Sequence, residues 1–320
     1  MSPDPIFVEA AARLHFGVLD LRGSLGRWFG GIGAAAPEPT LLVSAEPARS
    51  LEVTGQDAAR AEGFARRFFA HYGIAGGARI VVHRALQSHA GLGSGTQLAL
   101  AVARALGEIY GIGADAPSLA RAVGRARRSA IGTWTFAGGG LVVEGGRRRD
   151  GEESGPLIAR VPLPSTWRCV VAVPEGAPGI SGADEAAAFA ALPPPSAEDV
   201  AQVAHLVLMA LLPSAADGDL AVFGEALTRV QEITGRWFAP IQGGTFAPGI
   251  GRELLSRMRE WQVPAIGQSS WGPAVYGIVG DEDAGHRLAD RLSDDLAGRG
   301  AVYQGAFRTE GARVWRGRIG

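Results

Sequence analysis

Apolar residues recur at three- and four-residue steps through Leu98, Val102, Ala105, Leu106 and Ile109, which marks one face of an amphipathic helix over Gln97 to Tyr110. Helical composition also spans Ala58 to Tyr72, Ser118 to Ser129, Ala197 to Leu212, Leu220 to Thr234, Gly249 to Trp261 and Glu282 to Leu296. Between these lie β-prone pieces: Ile6 to Phe16, Leu41 to Val43, Leu51 to Val53, Ala78 to Val82, Leu141 to Glu144, Arg168 to Val173, Ala274 to Val279 and Ala301 to Arg308. Strands interleaved with helices predict an α+β protein, and 320 residues exceed what one core readily fills. The glycines, charges and prolines of Gly145 to Pro164 supply a boundary, so two α+β domains are expected, 1–164 and 165–320.

Charge narrows the function classes. The 31 basic residues nearly cancel 32 acidic ones, which gives no argument for a nucleic-acid or membrane-surface partner. The densest basic cluster, Arg147-Arg148-Arg149, is followed by Asp150, Glu152 and Glu153 and is expected to be a solvated, charge-balanced hairpin. The single cysteine, Cys169, excludes an intrachain disulfide and is expected in a buried strand. Met1 to Glu9 does not resemble a secretory signal, and the apolar stretch Val200 to Leu212 is too short to cross a bilayer, so a cytoplasmic location is expected.

Candidate chemistry begins at His89-Ala90-Gly91-Leu92-Gly93-Ser94-Gly95-Thr96-Gln97, directly ahead of the helix. Alternate glycines let the backbone approach an anion, and the amides at a helix start favour negative charge. Ser94 and Thr96 add hydroxyl donors. No lysine follows as in a P-loop, and the glycines do not have the dinucleotide spacing.

Four further segments carry residues that packing does not demand. Arg13 and His15 would share one face of a strand, near Asp20 and the glycine-rich run Ser24 to Gly33 that includes Arg27. Arg125 to Thr133 combines arginines, either a basic helix end or anion ligands, with Ser129 and Thr133 as the better site candidates. Ile241 to Phe246 contains Gln242. Gly267 to Gly277 contains Gln268, Ser269, Ser270 and Trp271, where an indole could stack on a planar ring while an amide or hydroxyl binds a polar substituent.

The glycine loop resembles the GLGSS loop of the GHMP small-molecule kinases, with Gly95, Thr96 and Gln97 replacing a second Ser and an Ala. In those kinases the region of Arg125 to Gly140 often supplies a catalytic Asp, and none occurs between Arg121 and Leu141. Together, Ala12-Arg13-Leu14-His15 with Ser24-Leu25-Gly26-Arg27, the loop, Gln242-Gly243-Gly244 and Gly267 to Pro273 resemble the β-ribofuranosylaminobenzene 5′-phosphate synthases, over nearly the whole chain. That resemblance implies a GHMP-like two-domain architecture. It also implies a transferase that joins phosphoribosyl pyrophosphate to 4-aminobenzoate with loss of pyrophosphate and CO2, early in tetrahydromethanopterin biosynthesis. Under it, Gly91, Leu92, Gly93, Ser94, Gly95, Thr96 and Gln97 hold a phosphate-bearing group, and Arg13, His15 and Arg27 assist a second anion or the carboxylate. Asp20 would steady a cation, and Ser129, Thr133, Gln242, Gln268, Ser269, Ser270 and Trp271 would contact substrate. Mg2+ is expected as a pyrophosphate chelate without a dedicated protein cage. A homodimer stays an open expectation, as do an ATP-dependent kinase of that superfamily and a ligand sensor without turnover.

Overall fold

Alternation at the N-terminus produces a long strand: β1 (Ile6–Asp20) sends Ile6, Val8, Ala10, Ala12, Leu14 and Phe16 into the core, as period-two patterning requires. The computed structural model describes residues 4–318 apart from 127, 152, 153, 177, 178 and 181. β2 (Arg27–Ala48) runs antiparallel to β1 from Ile6 opposite Ala45 to Asp20 opposite Phe29. Then follow β3 (Glu52–Gly55), α1 (Ala58–Tyr72), β4 (Gly77–Arg84), α2 (Ser94–Tyr110), α3 (Ala116–Ala122), α4 (Ile131–Gly138), β5 (Leu141–Glu144), β6 (Arg147–Arg148) and β7 (Leu157–Val161).

The second half contains β8 (Arg168–Pro174), α5 (Gly182–Ala191), α6 (Ala197–Leu206), a π-helical turn at Val207–Leu211, α7 (Leu212–Asp217), α8 (Leu220–Gln242) and α9 (Ile250–Glu260). It ends with β9 (Ala265–Gln268), β10 (Val275–Val279), α10 (Glu282–Leu296), β11 (Gly300–Gly305) and β12 (Arg313–Arg316). The larger sheet has the order β12-β1-β2-β4-β3, with β5 and β6 also on β2 and β7 on β5. The smaller, antiparallel sheet has the order β11-β8-β10-β9. β8 is buried on both faces: Cys169, Val171 and Val173 join the main core, while Val170 and Ala172 join a second core with Leu254, Met258, Leu288 and Leu292. Burial raises the Cys169 thiol pKa well above its usual value, which leaves it a packing residue.

Several features depart from the expected organisation. β2 is one strand of 22 residues, although its Gly30 to Pro39 stretch has poor strand propensity; pairing with β1, β4, β5 and β6 overrides that preference. The helix expected over Ser118 to Ser129 stops at Ala122, because Gly124 adopts φ 70° and the Arg125 amide turns back to the Ala120 carbonyl at 2.7 Å. The apolar stretch read as Val200 to Leu212 belongs to a continuous helix of 21 residues, Ala197–Asp217, long and apolar enough by length and composition to cross a membrane. Its Val203, Val207, Leu211 and Ala215 are nonetheless buried in the main core. β12 returns to β1, with Ile6 opposite Arg316, so residues 165–320 contribute a strand to the first sheet.

Candidate active site

α2 opens without a side-chain cap. Its N-cap is Gly93, at φ 75°, and the Thr96 and Gln97 amides are the first to bond back, to Gly93 O at 2.9 and 3.0 Å. Among the described residues no acceptor takes the Ser94 and Gly95 amides, so the helix start presents free donors and the positive end of its dipole. Two guanidinium groups approach the same point: a Cβ on Gly95 would lie 2.8 Å from Nη2 of both Arg60 and Arg125. Arg125 also donates to Thr96 Oγ1 at 3.4 Å. Its pKa is lowered first by burial and then by Arg60, Arg128 and Arg67, so this cluster has excess positive charge.

The loop is stitched to both halves of the chain. Gly91 O accepts from Arg13 Nη1 at 2.5 Å and Ser269 Oγ at 2.7 Å, and Leu92 O accepts from the Arg13 amide at 3.0 Å. The His15 amide donates to Ser269 Oγ at 3.0 Å, and the Ser270 amide to His15 O at 3.3 Å. Gln268 links Gln242 Oε1 at 3.3 Å with the Ser270 carbonyl at 2.9 Å, and its own oxygen accepts the Ala247 amide at 2.8 Å. Gln242 in turn donates to Gly244 O and Thr245 O at 3.0 and 2.8 Å. Ser269, Gln268 and Gln242 therefore build the bed under the loop, with their side chains bonded to the protein itself.

Arg13 and His15 lie beneath the loop, both desolvated by burial. The Arg13 stem packs under the loop, 2.7 Å from where a Gly93 Cβ would stand, and desolvation lowers its pKa to about 10. Burial, and secondarily Arg13, lowers His15 to about 3, so its imidazole is neutral near pH 7. It can offer a neutral N–H but no charge. Asp20 caps its own turn by accepting the Arg22 and Gly23 amides at 2.5 and 2.9 Å. Arg27 is exposed and donates to Gly146 O at 2.8 Å. Ser129 Oγ accepts the Ile131 amide at 3.3 Å at the start of α4. Gln97 Nε2 donates to Gly132 O at 2.9 Å, while Gln97 Oε1 and Thr133 Oγ1 are buried without a partner among the described residues. Trp271 is buried and packs at steep angles on Phe238 and Phe189, with centroids 4.8 and 5.7 Å away. A stacking role for its ring is therefore not what the packing provides.

Beside the loop lies a cavity of about 1180 Å³, lined in part by the candidate segments read from the sequence: Ser24, Trp28 and Phe29 from the glycine-rich run, and Arg125 and Arg128 from the basic one. Its wall includes Arg22, Arg121, Arg125, Arg128, Arg147 and Arg149, together with Trp28, Phe29 and Phe189, and no Asp or Glu among the described residues. Arg125 joins the cavity to the loop; Phe189 joins it to Trp271. The Arg147 cluster is solvated in part, with Arg148, Arg149 and Asp150 exposed, yet Arg147 stacks over Phe29 at 5.6 Å and Arg149 over Trp28 at 4.7 Å. Glu152 and Glu153, which were to balance it, lie outside the described residues. Trp28 Nε1, Arg125 Nε and Arg147 Nε are buried donors with no acceptor among the described residues, and such groups call for a ligand or water. Phe29, His89, Ala126 and Ser270 all hold positive φ, between 56° and 71°, a local strain that clusters around the loop and cavity.

Glu144 supports this wall from behind. It is fully buried and accepts the Gly146 amide at 2.8 Å and the Ala130 amide at 3.3 Å, so it ties the Arg128 and Arg147 segments together. Burial raises its pKa from 4.5 to about 7. The stability contributed by the neutral acid is complete below about pH 4.5 and is lost as pH rises through about 7. Thermal unfolding should therefore show a loss of roughly 3 kcal/mol at most across that window. Glu144→Gln should flatten the profile at a lower plateau, since an amide has a single acceptor oxygen. A wild-type melting temperature that stays constant over the window contradicts the assignment.

Residues 59–139 match the family model described as the GHMP kinases N terminal domain. Solved structures share the fold over nearly the whole chain. Homoserine kinase from Cytophaga hutchinsonii superposes with a TM-score of 0.73 at 15% identity, covering 98% of each chain. Mevalonate pyrophosphate decarboxylase from Streptococcus pyogenes superposes with a TM-score of 0.66 at 12% identity, covering 97% of this chain and 98% of that one. The architecture is thus that of the GHMP kinases. Within that class, the chain is 33% identical to the beta-ribofuranosylphenol 5′-phosphate synthase of Methanothermobacter thermautotrophicus, over 96% of this chain and 98% of the relative. It is 36% identical to the synthase of the same name from Archaeoglobus fulgidus, over 92% of this chain and 93% of the relative. The chain belongs to the beta-ribofuranosylphenol 5′-phosphate synthase family.

Proposed function

We propose that the chain is an enzyme that transfers the phosphoribosyl group of phosphoribosyl pyrophosphate to the carboxylate-bearing carbon of a para-substituted benzoate, with release of pyrophosphate and CO2. The observation that carries this is the set of buried donors without acceptors, Trp28 Nε1, Arg125 Nε and Arg147 Nε, in a wall of arginine and aromatic residues. Family membership supplies the reaction class. The relatives' names denote a phenol product, and the resemblance noted from the sequence denotes an aminobenzene. Both substituents donate electrons to the para carbon, so 4-hydroxybenzoate and 4-aminobenzoate suit the same mechanism.

Departure of pyrophosphate leaves positive charge on the anomeric carbon, and the electron-rich ring carbon attacks it. Loss of CO2 then restores aromaticity. This sequence needs no enzyme nucleophile; it needs bound anions, excluded water and two oriented substrates. The α2 amides with Arg60 and Arg125 would hold one phosphate group, and the cavity arginines a second. Phe29 and Phe189 would flank the benzoate ring. Among the described residues no cluster of three or more His, Cys, Asp or Glu is placed to hold a metal. Mg2+ enters the proposal as a chelate of the pyrophosphate, part of the substrate. A cytoplasmic location and a homodimer belong to the same proposal.

Gly95 offers a direct check on the loop. Gly95→Ala places a methyl against Arg60 and Arg125 while favouring the helix by roughly 0.5–1 kcal/mol. Affinity for inorganic pyrophosphate should fall about tenfold, equivalent to about 1.4 kcal/mol, with no loss of thermal stability. Unchanged affinity contradicts anion binding at the loop. The reading as a whole is tested by supplying phosphoribosyl pyrophosphate and either benzoate without nucleotide. Pyrophosphate release supports it; turnover only with ATP and a small alcohol returns the chain to kinase chemistry.

A further inference from the structure

One carboxylate does reach the arginine wall, from α5. Glu185 Oε2 accepts from Arg128, and Oε1 accepts the Trp271 indole N–H at 3.2 Å. The two oxygens of one planar group thus each take one donor, a charged guanidinium and a neutral indole. Four residues along the same helix, Phe189 lines the cavity and packs edge-on against Phe29 at 5.2 Å. A carboxyl group pinned between Arg128 and Trp271 beside two phenyl rings has the layout of a bound benzoate. The Glu185 charge also acts to raise the pKa values of Arg13 and Arg125, against the lowering by burial.

We propose that Arg128 and Trp271 Nε1 form the carboxylate subsite for the aromatic acceptor, and that Glu185 fills it as an internal stand-in until the acceptor displaces it. This rests on the transferase reading for the identity of the acceptor, while the subsite itself is defined by the donor pair. A carboxylate fits better than a phosphate because one donor is an uncharged indole and the neighbouring surface is aromatic. Phosphate groups have the stronger alternatives of the α2 amides and the remaining arginines. Displacing Glu185 frees α5 from two of its contacts, so acceptor binding and movement of Phe189 are coupled. An internal competitor lowers apparent affinity by the fraction of time it occupies the site.

The test is equilibrium binding of 4-hydroxybenzoate, phenol and inorganic pyrophosphate to wild type and to two variants, with no phosphoribosyl donor present. Glu185→Gln removes the charge of the stand-in while keeping its shape, and should tighten 4-hydroxybenzoate by about fivefold. Phenol, which lacks the carboxylate, should be unaffected, and pyrophosphate should change by less than about twofold. Trp271→Phe removes the indole donor within a retained aromatic cluster and should weaken 4-hydroxybenzoate by about threefold or more, again sparing phenol. It carries the test even if Glu185→Gln fails to fold. Equal or weaker binding of 4-hydroxybenzoate to Glu185→Gln, tightening of pyrophosphate instead, or an equal effect of Trp271→Phe on phenol overturns the subsite. Because binding is read without turnover, these outcomes are separate from failure of the transferase reaction.

Discussion

Arg125→Ala is expected to weaken phosphoribosyl pyrophosphate binding by about 30- to 1,000-fold, since truncating one partner of a desolvated charge pair costs 2–5 kcal/mol or slightly less at a partly open site. This is the residue that faces Gly95 and Thr96 on one side and the cavity on the other. In the free protein its charge is opposed by Arg60, Arg67 and Arg128. Removing it should leave unliganded stability equal or slightly higher, as measured by thermal unfolding, while titration shows the loss of affinity. That opposition of signs distinguishes a ligand-binding arginine from a structural one. A variant that melts early but binds normally would contradict the role. Arg13→Ala should behave in the other way: its bonds to Gly91 and its packing beneath Gly93 tie it to the loop's architecture, so stability and turnover should fall together.

Moving the para donor to the meta position is expected to have the second large effect. 3-Hydroxybenzoate and 3-aminobenzoate keep the ring and the carboxylate and should compete for the site, yet release almost no CO2. Their substituents cannot donate by resonance to the carboxylate-bearing carbon, and the developing ribosyl cation meets a poorer nucleophile. A thousandfold slower rate corresponds to about 4 kcal/mol in the barrier, a modest demand on so direct an electronic effect. The measurement is CO2 release under saturating isomer, paired with inhibition of the para substrate. Comparable rates for meta and para isomers contradict attack through that ring carbon.

The fold was legible where pattern and propensity agreed. β1, despite its mixed alternation, and the α2 face, which repeats at helical steps, are both present. β2 is hidden because Gly31, Gly33 and Ala34 to Ala36 have weak strand propensity; their small size suits a central strand with neighbours along both edges, which only tertiary pairing reveals. Gly124 ended a helix whose composition continued to Ser129, so the fate of Arg125 depended on one left-handed residue.

The site was legible as a loop and illegible as a cavity. Glycine spacing announced the anion-binding backbone from adjacent residues. The guanidinium groups arrive from α1, the turn after α3 and the β6 hairpin, segments that no local pattern connects. One signal was available: the chain has no lysine, and all 31 of its basic residues are arginine, the side chain best suited to forked phosphate contacts. Gln242, Gln268 and Ser269 stand out in the sequence for their polarity, and in the structure their side chains bond to the protein itself. Trp271 was noticed for its ring, whereas its indole N–H is the group that meets a carboxylate.

In the proposed reaction one carbon–carbon bond to ribose replaces one carbon–carboxylate bond on the ring. Purified protein supplied with phosphoribosyl pyrophosphate, Mg2+ and carboxyl-labelled 4-hydroxybenzoate or 4-aminobenzoate, without nucleotide, measures it directly. The predicted result is labelled CO2 and pyrophosphate in equal amounts; pyrophosphate released with the label retained on the ring, or no release until ATP is added, would contradict it.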